Sequence, residues 1–484
     1  MIEAHAAEAN PAGARRAWRG WLTPPHGDTG DLGARLTLIA LVIALHNLLE
    51  APRDAALRAL GPSGPAATGL LAFVALSLSL GLLLLALGER PPTWRWLRSR
   101  WARSLALALT LGAGVIGLRQ LGVMLATSVQ TSYAYPNDGA TLDQYAAQQL
   151  LAGHNPYVTT DLVAAIHQYQ QDPAYTTPLR DGPFAGRAWT DYPSADERRV
   201  AFATQPEGDP AAVTGFETRL SYPALAFLPL VPLVWAGLPN GVPLTALCWL
   251  GLVALLVMAA PPELRPWVGL LALADVPLLN AAGIADPDLL YLLPLFAAWR
   301  WRQRGALSAV TLGLALAAKQ LAWFSAPFYA VLIWRERGAR AALARLAGAG
   351  AVFAAINLPF FINNPRAWLS GVLAPQLDPM FPFGNGLVRL SLSGMLPLAP
   401  APVYTALELL ALALALAWYW RTCLRAPALG YALAVAPLFF AWRSLTTYFY
   451  FAALPALALL LSHRSNRGAA DGPAAVSVRE GRTP

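Results

Sequence analysis

The sequence predicts an all-α polytopic membrane protein with about 11–13 transmembrane helices and a long external loop after the third. Three observations predict it. Of 484 residues, 56% are hydrophobic and only 13% charged, with mean hydropathy +0.44, more apolar surface than a soluble core can hide. Windows such as 67–88 and 398–420 are almost free of charge and approach the roughly 20 residues that a helix needs to cross hydrocarbon. Arginines cluster between these windows, as the positive-inside rule requires of cytoplasmic loops.

In chain order, residues 1–35 form a cytoplasmic tail, because Arg15, Arg16 and Arg19 precede the first apolar window. That window, 36–49, is followed by Glu50 and Arg53 and by no small-residue cleavage site, so it reads as a retained anchor. A span at 67–88 returns inward. Residues 36–103 thus hold two additional N-terminal transmembrane helices, closed by the cytoplasmic cluster Arg90, Arg95, Arg98, Arg100 and Arg103. The third span, 104–127, leads to the external loop 128–221, where eleven Asp or Glu outnumber five Arg. Its Pro, Gly, Asp and Thr content predicts short helices lying on the membrane surface, not a separate domain.

Segment 222–238 is broken by Pro223, Pro229 and Pro232, which predicts a re-entrant or interfacial passage. Segment 242–260 then crosses inward, 266–284 goes out, 285–288 turns outside, and 289–299 returns to the cluster Arg300, Arg302 and Arg304. The apolar stretch 305–334 must go out and back as a hairpin of two short helices with its tip near Lys319, ending at Arg335 and Arg337. A span at 341–361, an external loop at 363–397 and spans at 400–420, 428–442 and 448–461 complete the apolar chain. Residues 462–484 read as a disordered cytoplasmic tail.

The net charge of +8 is accounted for by these loop arginines, so the sequence predicts no nucleic-acid partner. Cys248 and Cys423 lie far apart and no Cys/His cluster exists, which implies neither a disulfide framework nor a zinc site.

Several residues suit chemistry. Thr141 and Gln144 have the spacing of a capping box, which would start a helix there and put Asp143 in its first turn; Gly153 and Pro156 would end it. At the outer membrane surface Asp143 either accepts a proton from an incoming hydroxyl or simply favours the helix dipole. Lys319, the only lysine in the chain, lies in an apolar run where an ammonium is costly unless paired or wet. It either holds a lipid phosphate as a point charge or snorkels to the interface. Asp286-Pro-Asp288 either holds a divalent cation or makes a turn. Arg443 and Arg389 are further phosphate-binding candidates. Asp143, Asp286, Lys319, Arg389 and Arg443 all fall on one side of the predicted topology.

Asp143-x-Tyr145, Gly153-x-Asn155-Pro156-Tyr157, Tyr222-Pro223 and Ala317-Ala-Lys319-Gln320, in this order, resemble the GT-C membrane glycosyltransferases, most closely bacterial polyprenyl-phosphomannose-dependent mannosyltransferases. The likeness runs from about 104 to 460, with residues 104–362 as the catalytic membrane module, and departs from the usual Tyr-Pro-Pro at Ala224. The resemblance implies an inverting transfer of a sugar, a hexose such as mannose, from a polyprenyl-phosphate donor to a lipid-linked, glycan or protein acceptor. It implies Asp143 as catalytic base with Asp138 as nearby substitute, and Lys319, Arg443 and Arg389 as holders of the donor phosphate. Tyr145, Asn155, Tyr157, Tyr222, Asp286 and Asp288 become substrate-binding candidates. Enzymes using lipid-monophosphate sugars commonly need no metal or other cofactor; a divalent cation would sit at Asp286 and Asp288. The alternative is a non-enzymatic carrier or flippase for lipid-linked saccharides, which needs the cations but no base.

Overall fold

The computed structural model describes residues 29–50, 64–130 and 134–470. The expectations for Arg15, Arg16, Arg19 and Arg53, and for residues 471–484, lie outside the described residues. The described chain is mostly helical, its helices joined by irregular loops, and the strand structure among the described residues is one two-residue parallel pair and two isolated bridges.

Helix α1 (Thr29–Glu50) starts inside the segment expected to be tail and packs against α2 (Gly64–Leu87). Arg35, buried in α1, donates to the carbonyls of Ala86, Gly88 and Glu89 at 2.5, 2.8 and 3.1 Å. A guanidinium there satisfies the carbonyls that the C-terminus of α2 leaves open and complements its dipole. After the Pro91-Pro92 stop, Ser99 caps α3 (Arg100–Ser128), its hydroxyl accepting from the Ala102 N–H at 3.1 Å.

Helix α4 (Asp138–Leu151) starts earlier than the capping-box spacing predicts. Asn137 is the cap, its side chain accepting from Ala140 N–H at 2.7 Å. Thr141 and Gln144 are instead buried inside the helix, bonded to Gln171 and to Tyr135 and Pro239. Asp143 therefore sits in the second turn. Helix α5 (Ala195–Phe202) begins with a true capping box, Ser194 with Glu197.

Residues 222–238 form two 3-10 turns and one short helix, in keeping with a broken passage. Beyond α6 (Val242–Ala259), the expected single span at 266–284 is split at Asp275 into α7 (Arg265–Ala274) and α8 (Val276–Gly283), bent by 61°. Asp275 caps α8 by accepting from the Leu278 N–H at 3.5 Å, Pro277 in the first turn cannot continue α7, and a distant residue completes the break. Asn47 of α1 donates to the Ala274 carbonyl at 2.8 Å and accepts from the Val276 N–H at 3.2 Å, satisfying both ends of the break. Close approach of α3 fixes α7 as well, since a Cβ on Gly117 would lie 1.8 Å from the Leu273 carbonyl oxygen.

Helices α9 (Asp288–Arg300), α10 (Gly305–Ala318), α11 (Leu321–Arg337) and α12 (Ala339–Asn363) follow, with α10 and α11 forming the expected hairpin around Lys319. The 363–397 loop contains α13 (Pro365–Val372) and strand β1 (Phe383–Gly384). After α14 (Ala401–Thr422), the expected span at 428–442 is two short pieces, Leu429–Leu433 and Ala436–Phe440. Strand β2 (Arg443–Ser444) pairs with β1, and α15 (Ala453–Ala470) runs past residue 462, where the tail was expected to begin.

Six of these helices, α1, α2, α3, α6, α12 and α14, are long and apolar enough to cross a bilayer, or seven with α7 and α8 taken together. The protein is thus a multi-pass, all-α membrane protein. Its remaining apolar helices are shorter: a 13- or 14-residue helix such as α9 or α10 rises only about 20 Å, less than the roughly 30 Å hydrocarbon layer.

The short helices of segment 134–221 pack around a shared core. Leu142, Ile166, Phe184, Phe202, Phe216 and Leu220 form a core of their own, closed by Phe360, Trp368 and Phe381 from α12, α13 and the loop beyond. Edge-to-face pairs Phe184–Phe216 and Phe202–Phe216, with centroids 5.6 and 5.5 Å apart, order it. Arg219 ties it to the later loop through Asp378 at 2.7 Å, and its backbone N–H donates to the carboxylate of buried Glu217 at 2.8 Å, which sets the Glu217 and Asp378 carboxyls within electrostatic range of each other.

Burial, then that neighbouring carboxyl, push the Glu217 carboxyl well above its usual range. The folded state therefore binds this proton more tightly than the unfolded chain. The resulting stability is fully present below about pH 4.5, the ordinary glutamate value, and is lost as pH rises through the raised pKa. Unfolding temperature followed against pH should fall over this window, and Glu217→Gln should flatten the fall.

Candidate functional site

Lys319 interrupts the α10–α11 hairpin in extended conformation, φ −156°, ψ 146°. Gln320 beside it donates to the carbonyls of Ser221 at 2.6 Å and Val372 at 2.7 Å, so the hairpin tip is pinned to the start of the 222–238 segment and to the end of α13. Lys319 itself is buried between Asp288, with which it forms an ion pair, and Tyr222, whose ring centroid lies 4.8 Å from its ammonium. An ammonium held by a carboxylate and an aromatic face is compensated for its lost hydration.

Asp288 reaches this position from the turn that follows α8. Ala285 takes φ +56°, the Asp286 N–H donates to Ala281 O at 2.9 Å, and Asp286 Oδ1 accepts from the Asp288 N–H at 2.9 Å. Asp286 thus shapes the turn while Asp288 faces the lysine. Among the described residues no three His, Cys, Asp or Glu side chains converge as a metal set. With Asp288 committed to Lys319 and Asp286 to a backbone N–H, the pair offers few of the six or so oxygen ligands that a hard divalent cation takes.

Asp143 of α4 faces the same region. It is 1% exposed, and neither carboxylate oxygen has a hydrogen-bond partner. Burial raises its pKa well above the aspartate range; Lys319 pulls it back and Asp286 pushes it further, which places all three within electrostatic reach of one another. A narrow cleft of about 10 Å³, room for about one water, is lined by Asp143, Tyr135, Gly241, Thr245, Ala285 and Pro287. Tyr222 lies over the first turn of α4, where a Cβ on Gly139 would meet its ring at 3.1 Å. Tyr157 donates its hydroxyl to the Tyr222 carbonyl at 2.7 Å, and burial followed by the charge of Asp143 raises its pKa.

Asp143, Tyr157, Tyr222, Asp286, Asp288 and Lys319 are therefore gathered in one place. Asp138 lies at the edge of the cluster: it begins α4 beneath Tyr222, within electrostatic range of it, and accepts from the Thr177 N–H at 2.8 Å. Tyr145 and Asn155 lie elsewhere. Tyr145 is within electrostatic range of Asp161 and Glu207. Asn155 caps the 156–159 turn and donates to Asn363 at 2.8 Å, a tether to the end of α12.

Arg443 and Arg389 belong to a second unit built on the strand pair. Arg443 donates to Phe381 O at 3.3 Å; Arg389 donates to Asn385 at 3.2 Å, and buried Asn385 donates to Thr446 at 2.8 Å. Tyr448 joins the two units, lying within electrostatic range of both Lys319 and Arg443. Asn385 is not among the site residues read from the sequence, and Gln320 stands out there only as part of the Lys319 motif. Phe383-Gly-Asn-Gly386, with glycines on both sides of an Asn, is the turn signal that marks Asn385.

Gly384 has φ +122°, and a Cβ there would lie 1.9 Å from the Ser444 carbonyl oxygen. Gly384→Ala should therefore cost about 1–3 kcal/mol, read as a lower unfolding temperature in detergent. An unchanged midpoint would contradict the closeness of β1 and β2.

Comparison with protein-family models, curated proteins and solved structures gives no match for this chain.

Proposed function

We propose that the protein is an inverting glycosyltransferase that moves a sugar, a hexose such as mannose, from a polyprenyl phosphate to a lipid-linked, glycan or protein acceptor at the external membrane face. The observation that carries this reading is Asp143, a buried carboxyl with no hydrogen-bond partner, beside a cleft and within electrostatic reach of a buried lysine. A carboxyl whose pKa is raised well above the aspartate range holds a proton more strongly, and so is a stronger general base, than an ordinary aspartate. In the proposed step Asp143 takes the acceptor hydroxyl proton, the freed oxygen forms a bond to the anomeric carbon, and the bond from that carbon to the phosphate oxygen breaks. The polyprenyl phosphate leaves with the electron pair, its charge met by Lys319. One displacement inverts the anomeric centre.

Membranes holding the wild-type chain or Asp143→Asn, supplied with radiolabelled polyprenyl-phosphate mannose, test this. Transfer by the wild type, lost in the variant while donor binding is retained, is the expected result. Donor binding with no transfer by either chain would favour a carrier, and undiminished transfer by the variant would remove Asp143 as base.

A further inference from the structure

The turn between α2 and α3 plays no part in the reaction proposed above. Residues 89–103 contain five arginines, three tryptophans and one glutamate. Their backbone is fixed: the N–H groups of Leu97, Arg98 and Ser99 donate to the carbonyls of Trp94, Arg95 and Trp96, and Leu97 is fully buried in the helical core. This arrangement turns the large side chains outward. Trp94, Trp96 and Trp101 are 45%, 50% and 84% exposed, with the first two rings stacked 6.1 Å apart.

Arg90, Arg95, Arg98 and Arg100 are exposed on the same turn. Arg98 pairs with Asp31 at 2.9 Å, and the one glutamate, Glu89, is held by Arg425 at 2.9 Å. Among the described residues Arg90, Arg95 and Arg100 face no acidic partner. A cluster of fixed cations is thus left over at the point where one spanning helix ends and the next begins.

We infer that this turn is a docking surface for the headgroups of anionic phospholipids. Its position at the ends of α2 and α3 sets it at the rim of the hydrocarbon, the level at which indole rings settle. Unpaired positive charge on the turn selects an anionic over a zwitterionic headgroup. A water-soluble acidic partner fits less well, because Trp101, the most exposed of the three, lies in the first turn of a helix whose outer face continues as Leu105 and Leu109.

The test uses the full chain in nanodiscs of equimolar phosphatidylglycerol and phosphatidylcholine, with the lipids retained through washing and detergent extraction counted by native mass spectrometry. The wild type should retain phosphatidylglycerol preferentially, and Arg95→Gln with Arg100→Gln should cut that preference by about tenfold or more. The corresponding double Lys variant should keep most of it. Equal preference in wild type and the Gln variant, or equal loss in the Lys and Gln variants, would overturn the inference. Should the Gln variant fail to fold, salt decides on the wild type alone: high ionic strength must weaken the preference, and a salt-independent preference would refute a charge-based surface.

Discussion

Asp143→Asn is expected to lower sugar transfer by about 10²–10⁴-fold, the range general-base catalysis supplies, with little effect on stability. The amide has the shape of the carboxyl, and neither oxygen it replaces has a hydrogen-bond partner to lose. The variant should therefore unfold at or slightly above the wild-type temperature, which separates a chemical defect from a folding one. The pH profile gives a second reading. A base works only when deprotonated, so kcat/KM for the wild type should rise with pH through the raised pKa of Asp143, well above the usual aspartate value near 3.8. A rate already level from pH 5 upward would mean that another group takes the proton.

Lys319→Met is expected to destabilise the protein by about 3–5 kcal/mol, the cost of leaving a buried charge without its partner. Asp288, 1% exposed and paired to Lys319, is the charge that would be left alone. Replacing both residues, as Asp288→Leu with Lys319→Met, should recover most of that loss, because a well-packed apolar pair dispenses with the desolvation of two ions. Unfolding midpoints of the two single variants and the double variant form the cycle; additive losses would mean that the ion pair is not coupled. The double variant also isolates the proposed phosphate role. Folded but lacking the ammonium, it should bind the polyprenyl-phosphate sugar far more weakly than wild type, and unaltered donor affinity would leave Lys319 with a structural role alone.

Long spanning helices were legible in the sequence because their signal is local and additive. Helices α1, α2, α3, α6, α12 and α14 each coincide with an apolar window read without tertiary information. The hairpin at Lys319 was legible for a similar reason, since two arginine clusters separated by one apolar stretch leave only a return path. What escaped depended on distant partners. The α7–α8 break has a local signal, Asp275 followed by Pro277, but the peptide groups it opens are satisfied only by Asn47 of the distant α1. The start of α4 was misplaced because Asn137 competes for the cap with Thr141, whose hydroxyl is drawn into the interior by Gln171. In the 134–221 segment, Phe184, Phe202 and Phe216 sit on separate pieces of chain with no shared period, so their common core is invisible until the chain is folded. For the candidate site, the acidic and basic residues stood out individually. Asn385, which holds its neighbours by neutral hydrogen bonds, did not, and the pinning role of Gln320 was not visible from its place beside Lys319.

Asn47 gives the order of synthesis a structural meaning. It precedes the peptide groups it bonds, at Ala274 and Val276, by 227 and 229 positions. By the time the ribosome adds Asp275, α1 has already been made and stands in the bilayer as a jig against which a kinked segment can be set. A chain shortened by its first two helices would leave the Ala274 carbonyl and the Val276 N–H without Asn47, so the kink that Pro277 and the Asp275 cap begin would lose its tie to the start of the bundle.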